Sequence, residues 1–287
     1  MGKILLNGVT CVDIVNYVER FPEEDSDNRG VDQLITLGGN ATNSATVLQQ
    51  LNDYTEVFMA LPTGNTLFDS LIVKSGVNVS RCVHRNSDNV PVSTVIVSLA
   101  KGSRTILHHE SDLQEPKASE FIAEFSHFLG FGWVHFEAKA GREFDEVILM
   151  LEHVWNQRKQ NDLPLKLSVE LEIRVPSEWA RWKNAEKTVD QIQRLFHAEN
   201  KLVICPWAEK GVTARESVKS KFVHVPAFTP SSVVDTLGAG DTFIAAALHG
   251  LNSQRPLTEV LRFACMLAGR KCGQRGLMDL DLNGLDF

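Results

Sequence analysis

The chain of 287 residues has no run of Lys or Arg longer than two, and its formal net charge is −7. A nucleic-acid binder needs a basic face, so that class is set aside. Any phosphate bound here must be held by local groups rather than by a global positive field. Cysteines number five, at Cys11, Cys82, Cys205, Cys265 and Cys272, with irregular spacing and no CxxC pair. An odd, scattered set excludes a disulfide frame and a zinc ribbon and indicates reduced thiols. No apolar run approaches the length of a bilayer span. The opening "MGKILLNGVT" lacks the apolar core of a secretory leader. Leu6 also stands where a myristoylation signal needs Ser or Thr. A cytoplasmic protein with no membrane partner is expected. The first strand is not followed by GxGxxG, which disfavours a dinucleotide-binding dehydrogenase.

What is present is an ordinary globular balance, 43% apolar and 23% charged, enough for one large α/β domain. Strand-like and helix-like segments alternate. "KILLNGV", "EVFMALP", "WVHFEA", "LKLSVEL" and "KLVICP" read as strands. "ATNSATVLQQL", "ASEFIAEFSHFL", "FDEVILMLEHVWNQRKQ", "AEKTVDQIQRLFHAEN" and two segments from about Ala239 and Thr258 read as helices. Such alternation predicts a mainly parallel sheet covered on both faces. Two strand pairs have no helix between their members: "TCVDIVNYV" with "DQLITL", and the hairpin "STVIVSLAKGSRTILHHE". They predict a small antiparallel flap beside the main sheet. The expected organisation is one domain over 1–287, with lid segments about 11–37 and 91–110.

The stretch "VVDTLGAGDTF" (233–243) carries the densest chemistry. A Gly-Ala-Gly turn before a helix lets unpaired backbone N–H groups point outward together, and the helix dipole adds to them. Without side chains, Gly238 and Gly240 let an anion approach the backbone around Ala239. Asp241 falls in the first helical turn, where the dipole favours its ionised form. A carboxylate beside a transferring phosphoryl group is placed to take an acceptor hydroxyl's proton. The same string alone also reads as a helix start packed tightly through small residues. In "LGGNATNSA" (37–45), Asn40 and Asn43 lie three apart at a helix start and can give and accept hydrogen bonds with vicinal hydroxyls. An Asn cap is the plainer reading there. Asp13, inside the apolar strand "TCVDIV", is either an exposed strand carboxylate or the edge of a polar-ligand pocket.

Together, in this order, these strings resemble the ribokinase-like (PfkB) carbohydrate kinases. "FPEEDSDNR", "GSRTILHHESDL", "CPWAEKG" and "LRFACMLAGRKCG" extend the resemblance from about residue 4 to 276. "EEDSDNR" and "WAEKG" resemble the ketohexokinase branch. The resemblance implies a ribokinase-like α/β fold and ATP-dependent phosphorylation of a ketohexose, D-fructose to fructose 1-phosphate. Asp241 would be the base and Gly238, Ala239 and Gly240 the anion hole. Asp13, Gly39, Asn40 and Asn43 would hold the sugar hydroxyls. Arg104 would reach the ATP phosphates, and Ala208, Glu209, Lys210 and Gly211 would line the adenine side. Mg²⁺ would ride on the nucleotide, with no ligand residue assigned to it, and K⁺ would sit near the "DTLGAGD" backbone. Asp25 would belong to a lid segment that meets a second copy in a homodimer.

The resemblance breaks in the middle of the chain. About twenty residues, including one sheet strand, are missing relative to the family pattern between Trp179 and Lys183. Ile173 and Arg174 stand out of register with a family lysine, and Lys139 stands in for an arginine. The segment after "MALPTG" is about one residue short. The alternatives to an active ketohexose kinase are a non-catalytic sugar-binding relative, an inactive splice product, or another sugar or nucleoside kinase of the same fold.

Overall fold

A computed structural model describes residues 2–87, 89–109, 111–138, 143–171 and 184–285. The expected missing strand before Lys183, and the departures at Lys139, Ile173 and Arg174, lie outside these residues. The central sheet holds β1 (Lys3–Asn7), β4 (Thr55–Phe58), β9 (Phe131–Ala138) and β10 (Lys166–Leu171) in the order β10-β9-β1-β4. All three pairings are parallel. Alternate residues of β1 point to opposite faces, and both faces are buried. Ile4 and Leu6 join one core with α1 (Asn40–Gln50), α6 (Ala239–Asn252) and α7 (Leu257–Cys272). Leu5 joins the other, with α3 (Ala118–Glu124) and α4 (Phe144–Gln160). A strand apolar on both sides is what a sheet covered twice requires.

The second core is rich in phenylalanine: Phe58, Phe121, Phe125, Phe128, Phe131 and Phe136 meet edge-on or tilted, except Phe125 and Phe128, which stack. Each buried ring contributes on the order of 2 kcal/mol. α4 supplies Val147, Met150 and Val154, spaced three and four apart on its inner face. The helix expected over "ASEFIAEFSHFL" stops at Glu124, and its last residues leave helical geometry so that Phe125 and Phe128 can turn into this core.

The expected flap is a four-stranded sheet in the order β3-β2-β7-β8. β2 (Cys11–Val18) and β3 (Asp32–Gly38) form one antiparallel hairpin, β7 (Val92–Ser98) and β8 (Ser103–His109) the other. The two inner strands, β2 and β7, run parallel. Each row of paired residues therefore shares a face. Asp13, Thr36, Ser93 and His108 form one row, and Tyr17, Asp32, Val97 and Arg104 another. A short parallel pair joins β5 (Ala60–Pro62) to β6 (Val83–Arg85), so "EVFMALP" is two strands interrupted at Met59. Between them lies α2 (Thr66–Ser75), capped by Asn65 and closed by left-handed Gly76. After α5 (Ala185–Leu195), β11 (Val203–Pro206), β12 (Val212–Arg215) and β13 (Val223–Val225) form an antiparallel sheet. Among the described residues, no helix is long and apolar enough to cross a membrane.

Candidate active site

In an open α/β sheet, ligands bind outside the carboxyl ends of the strands, where the strand order reverses. Here that point lies between β1 and β9. The chain leaves β1 through Gly8, whose missing side chain makes room for the Glu137 carboxylate and for Ala41 at the start of α1. Val9 N–H points at Glu137 Oε2, 3.4 Å away. Glu137 is buried, and its register partner on β10 is Glu170. Sequence reasoning did not single out either carboxylate.

α1 begins at Gly39, which takes a positive φ of 95° and lies against the Val9 carbonyl, leaving no space for a side chain. Gly39 is thus the cap, and Asn40 and Asn43 fall within the first helical turns, not at an Asn cap. Asn43 is buried and turned toward α6. Its Nδ2 donates to Asp241 Oδ2 at 2.7 Å, and Ser44 Oγ donates to the Asp241 carbonyl at 3.3 Å. The helices approach this closely because α1 presents Ala41 and Ala45, and α6 presents Ala245 and Ala246, all fully buried.

Gly238 opens α6 in the left-handed conformation, φ 74°. A side chain there would strike Leu277, whereas a Cβ on Gly240 would meet nothing within 4 Å. The turn therefore packs on one side and is open on the other, beside Asp241, which is buried within the first turn of α6. The structure brings together Asp241, Gly238, Ala239, Gly240 and Asn43.

Asp13 is buried on the lid sheet's inner row, its carboxylate pressed against Gly38, where a Cβ has no room. Cys11 Sγ donates to Asp13 Oδ1 at 3.2 Å. Arg104 reaches across from β8, and its Nη1 donates to Thr236 Oγ1 at 2.8 Å, two residues before Gly238. Ala208–Lys210 form a single 3₁₀ turn closed by Gly211 at φ 85°, which lies against the Val225 carbonyl; Glu209 and Lys210 are exposed. Asp25 lies in the exposed connection between β2 and β3, with φ 59°.

Further residues support the segment that leads into the turn. Asp235 is fully buried. Its Oδ1 accepts Leu237 N–H at 2.8 Å, and its Oδ2 accepts Gly276 N–H at 3.1 Å and Tyr17 O–H at 3.2 Å. Lys271, also fully buried, donates from Nζ to the Asp235 carbonyl at 2.8 Å and lies 3.1 Å from Oδ2. Arg275 pairs with Asp32 at 2.5 Å and lies over the Tyr17 ring. Burial and the Asp235 charge both push the Tyr17 phenol well above its usual range. A signal for Lys271 was present: it continues the apolar face Val260, Ala264, Leu267 of α7.

These groups bear on the implied ions. Among the described residues, no cluster of three or more His, Cys, Asp or Glu could hold a metal. Magnesium prefers phosphate oxygens, water and one or two carboxylates, and Glu137 and Glu170 offer such hard oxygens at the sheet's carboxyl edge. The Asp235 carboxylate and carbonyl are already engaged by Lys271 and its neighbours. The groups left for a potassium ion beside this segment are other backbone carbonyls. Two cavities of about 500 Å³ lie elsewhere, one at the amino end of β10 around Lys166 and Asn252, the other between α3 and α4. They take no part in this arrangement.

The model of the pfkB family carbohydrate kinases matches residues 1–138 and 174–282. The chain is 34% identical to the ketohexokinase of Mus musculus over 96% of its own length and 97% of the relative's. That alignment spans 296 positions, more than the chain has residues, so the chain carries gaps in it. Among solved structures, a ribokinase from Giardia lamblia superposes with a TM-score of 0.80 at 17% identity, covering 96% of this chain and 95% of that one. The Arabidopsis thaliana ribokinase complexed with ribose and ATP superposes with a TM-score of 0.71 at 19% identity, over 96% and 94%. Matching sequence, a ribokinase-like fold and a Gly-rich turn beside a buried carboxylate agree: the chain belongs to the pfkB family and is an ATP-dependent carbohydrate kinase.

Proposed function

We propose that this kinase phosphorylates a ketohexose, D-fructose, at its 1-hydroxyl. The observation that carries the reading is Asp241, buried, fixed by Asn43 and set beside the open side of the Gly238–Gly240 turn. The likeness to a ketohexokinase supports the choice of sugar. Asp241 takes the proton of the acceptor hydroxyl as the oxygen attacks the γ-phosphorus. The N–H groups of the turn take up charge on the phosphoryl oxygens, so the protein's part is positioning and charge stabilisation. Asp13, Gly39, Asn40 and Asn43 hold the sugar's other hydroxyls. Arg104 moves from Thr236 to the ATP phosphates, and residues 208–211 border the adenine. Glu137 and Glu170 would hold a nucleotide-borne magnesium ion through its water, and the ion would supply charge neutralisation; potassium would rest on backbone carbonyls near Thr236.

The kinase works in the cytoplasm as a homodimer joined through the outer face of the lid sheet. That face carries Ile14 opposite Ile35, and Leu107, which is 60% exposed. Asp25, in the loop at the end of this sheet, would approach the second copy. A coupled ADP-release assay over fructose, other ketohexoses, ribose and nucleosides tests the reading. Fructose should turn over fastest. Preference for a nucleoside would reassign the substrate, and sugar binding without ADP release would mark a non-catalytic relative.

A further inference from the structure

Lys271 is a charged side chain with no exposure, placed where no solvent can satisfy it. Burying an ammonium is costly unless a counter-charge and hydrogen bonds accompany it. Asp235 supplies both, through its carbonyl at 2.8 Å and its carboxylate at 3.1 Å. The pair is also favourably placed at the end of α7, where the helix dipole attracts a cation. Burial draws the Lys271 pKa down, and the Asp235 charge opposes that.

The pair fixes more than itself. The Cys272 carbonyl, next to Lys271, accepts Val234 N–H at 2.8 Å and Asp235 N–H at 3.2 Å. Asp235 Oδ1 then turns the chain by accepting Leu237 N–H, and Gly238 follows in its left-handed conformation. Val234, Asp235 and Leu237, which lead into the Gly238–Gly240 turn, are thus held from the end of α7 or by Asp235. Tyr17, on the inner face of the lid, ends the same network.

We infer that Lys271 and Asp235 are positioning residues for phosphoryl transfer: their buried pair presets the backbone N–H groups of the Gly238–Asp241 turn, and Tyr17 ties that setting to the lid. Neither Lys271 nor Tyr17 is assigned contact with sugar or nucleotide. The inference rests on the sugar-kinase reading for its effect on turnover, but not for its effect on phosphate binding. If the turn loses its setting, interactions made with phosphate weaken, while those with sugar and adenine remain.

The test uses the full chain with Lys271→Met and Tyr17→Phe. Calorimetry with a non-hydrolysable ATP analogue and with ADP measures the affinity margin due to the γ-phosphate, and steady-state assays give kcat and sugar KM. Lys271→Met should lower kcat by about a hundredfold and shrink the analogue-over-ADP margin about tenfold, with sugar KM changed less than about threefold. A purely structural role would lower the melting temperature and leave the margin of the folded protein intact. Tyr17→Phe should lower kcat about threefold to tenfold with sugar KM unchanged. Should Lys271→Met fail to fold, Tyr17→Phe decides, and an unchanged kcat and margin overturn the inference. If the wild-type chain phosphorylates no sugar yet binds the ATP analogue over ADP with a margin that Lys271→Met or Tyr17→Phe erodes, the positioning role stands and the substrate reading falls. A wild-type chain that gains no affinity from the γ-phosphate overturns the inference outright.

Discussion

Asn43 and Asp241, 198 residues apart in the chain, meet at 2.7 Å between the first turns of two helices. The amide gives Asp241 Oδ2 a hydrogen bond that holds the carboxylate in one orientation. Replacing Asp241 with Asn keeps the shape and removes the proton acceptor. Turnover should fall by about a thousandfold or more, while ADP affinity measured by calorimetry stays within about twofold. An Asp241→Asn enzyme with near-normal kcat would remove Asp241 from the role of base.

The lid side chain Arg104 donates to Thr236, next to the turn. Arg104→Ala should raise the KM for ATP by about tenfold, the scale of a hydrogen bond to a charged group, and leave the fructose KM nearly unchanged. Equal shifts in both would count against a phosphate contact.

Gly38 matters for its neighbour. A methyl group there would collide with the Asp13 carboxylate. Gly38→Ala should displace that carboxylate and raise the sugar KM about tenfold or more, with ADP binding unaltered. Normal sugar kinetics in this variant would take Asp13 out of the sugar site.

His135 gives the fold a pH dependence. It is 5% exposed on β9, and burial pushes its pKa down to about 4. Ser168 Oγ accepts Trp133 Nε1–H and shares a hydrogen bond with His135 Nδ1, both at 2.7 Å. An unfolded imidazole titrates near 6.5. The unfolded chain therefore binds the proton first, and stability that is complete above pH 6.5 declines as pH falls toward 4, by about 3 kcal/mol in all. In urea melts at pH 7.5 and pH 4.5, His135→Asn should show a smaller loss than the wild type. Equal losses would mean that His135 is not the titrating group.

Much of this was legible from residues alone. α4 and α6 show apolar spacing strong enough to name, and the two lid hairpins follow from β-branched runs around short turns. α2 was not legible: Leu67 and Val73 face solvent while only Phe68 and Leu71 are buried, so its apolar residues mark no single face. β12 hides its nature because Arg215 is buried in it, made tolerable by Asp190 and Gln193 of α5. The Gly-rich turn and Asp241 were legible as chemistry. The bond from Asn43 was not, since the motifs only name two amides and a carboxylate. Asp235 is ordinary in its own segment, and although Lys271 interrupts the apolar face of α7, only the fold makes the two a pair.

The contacts described around the Gly238–Asp241 turn join two distant parts of the chain. Asn43, Tyr17, Asp32 and Arg104 come from its first 104 residues; Asp235, Asp241, Lys271 and Arg275 come from its last fifth. None of these eight residues lies between 105 and 234. Evolution can therefore lengthen or shorten the middle of this chain under different rules from its ends. A change in length there is judged by the stability of the sheet and by the placing of Glu137, Glu170 and the 208–211 turn, while a single displaced residue beside the Gly-rich turn is judged by the reaction itself.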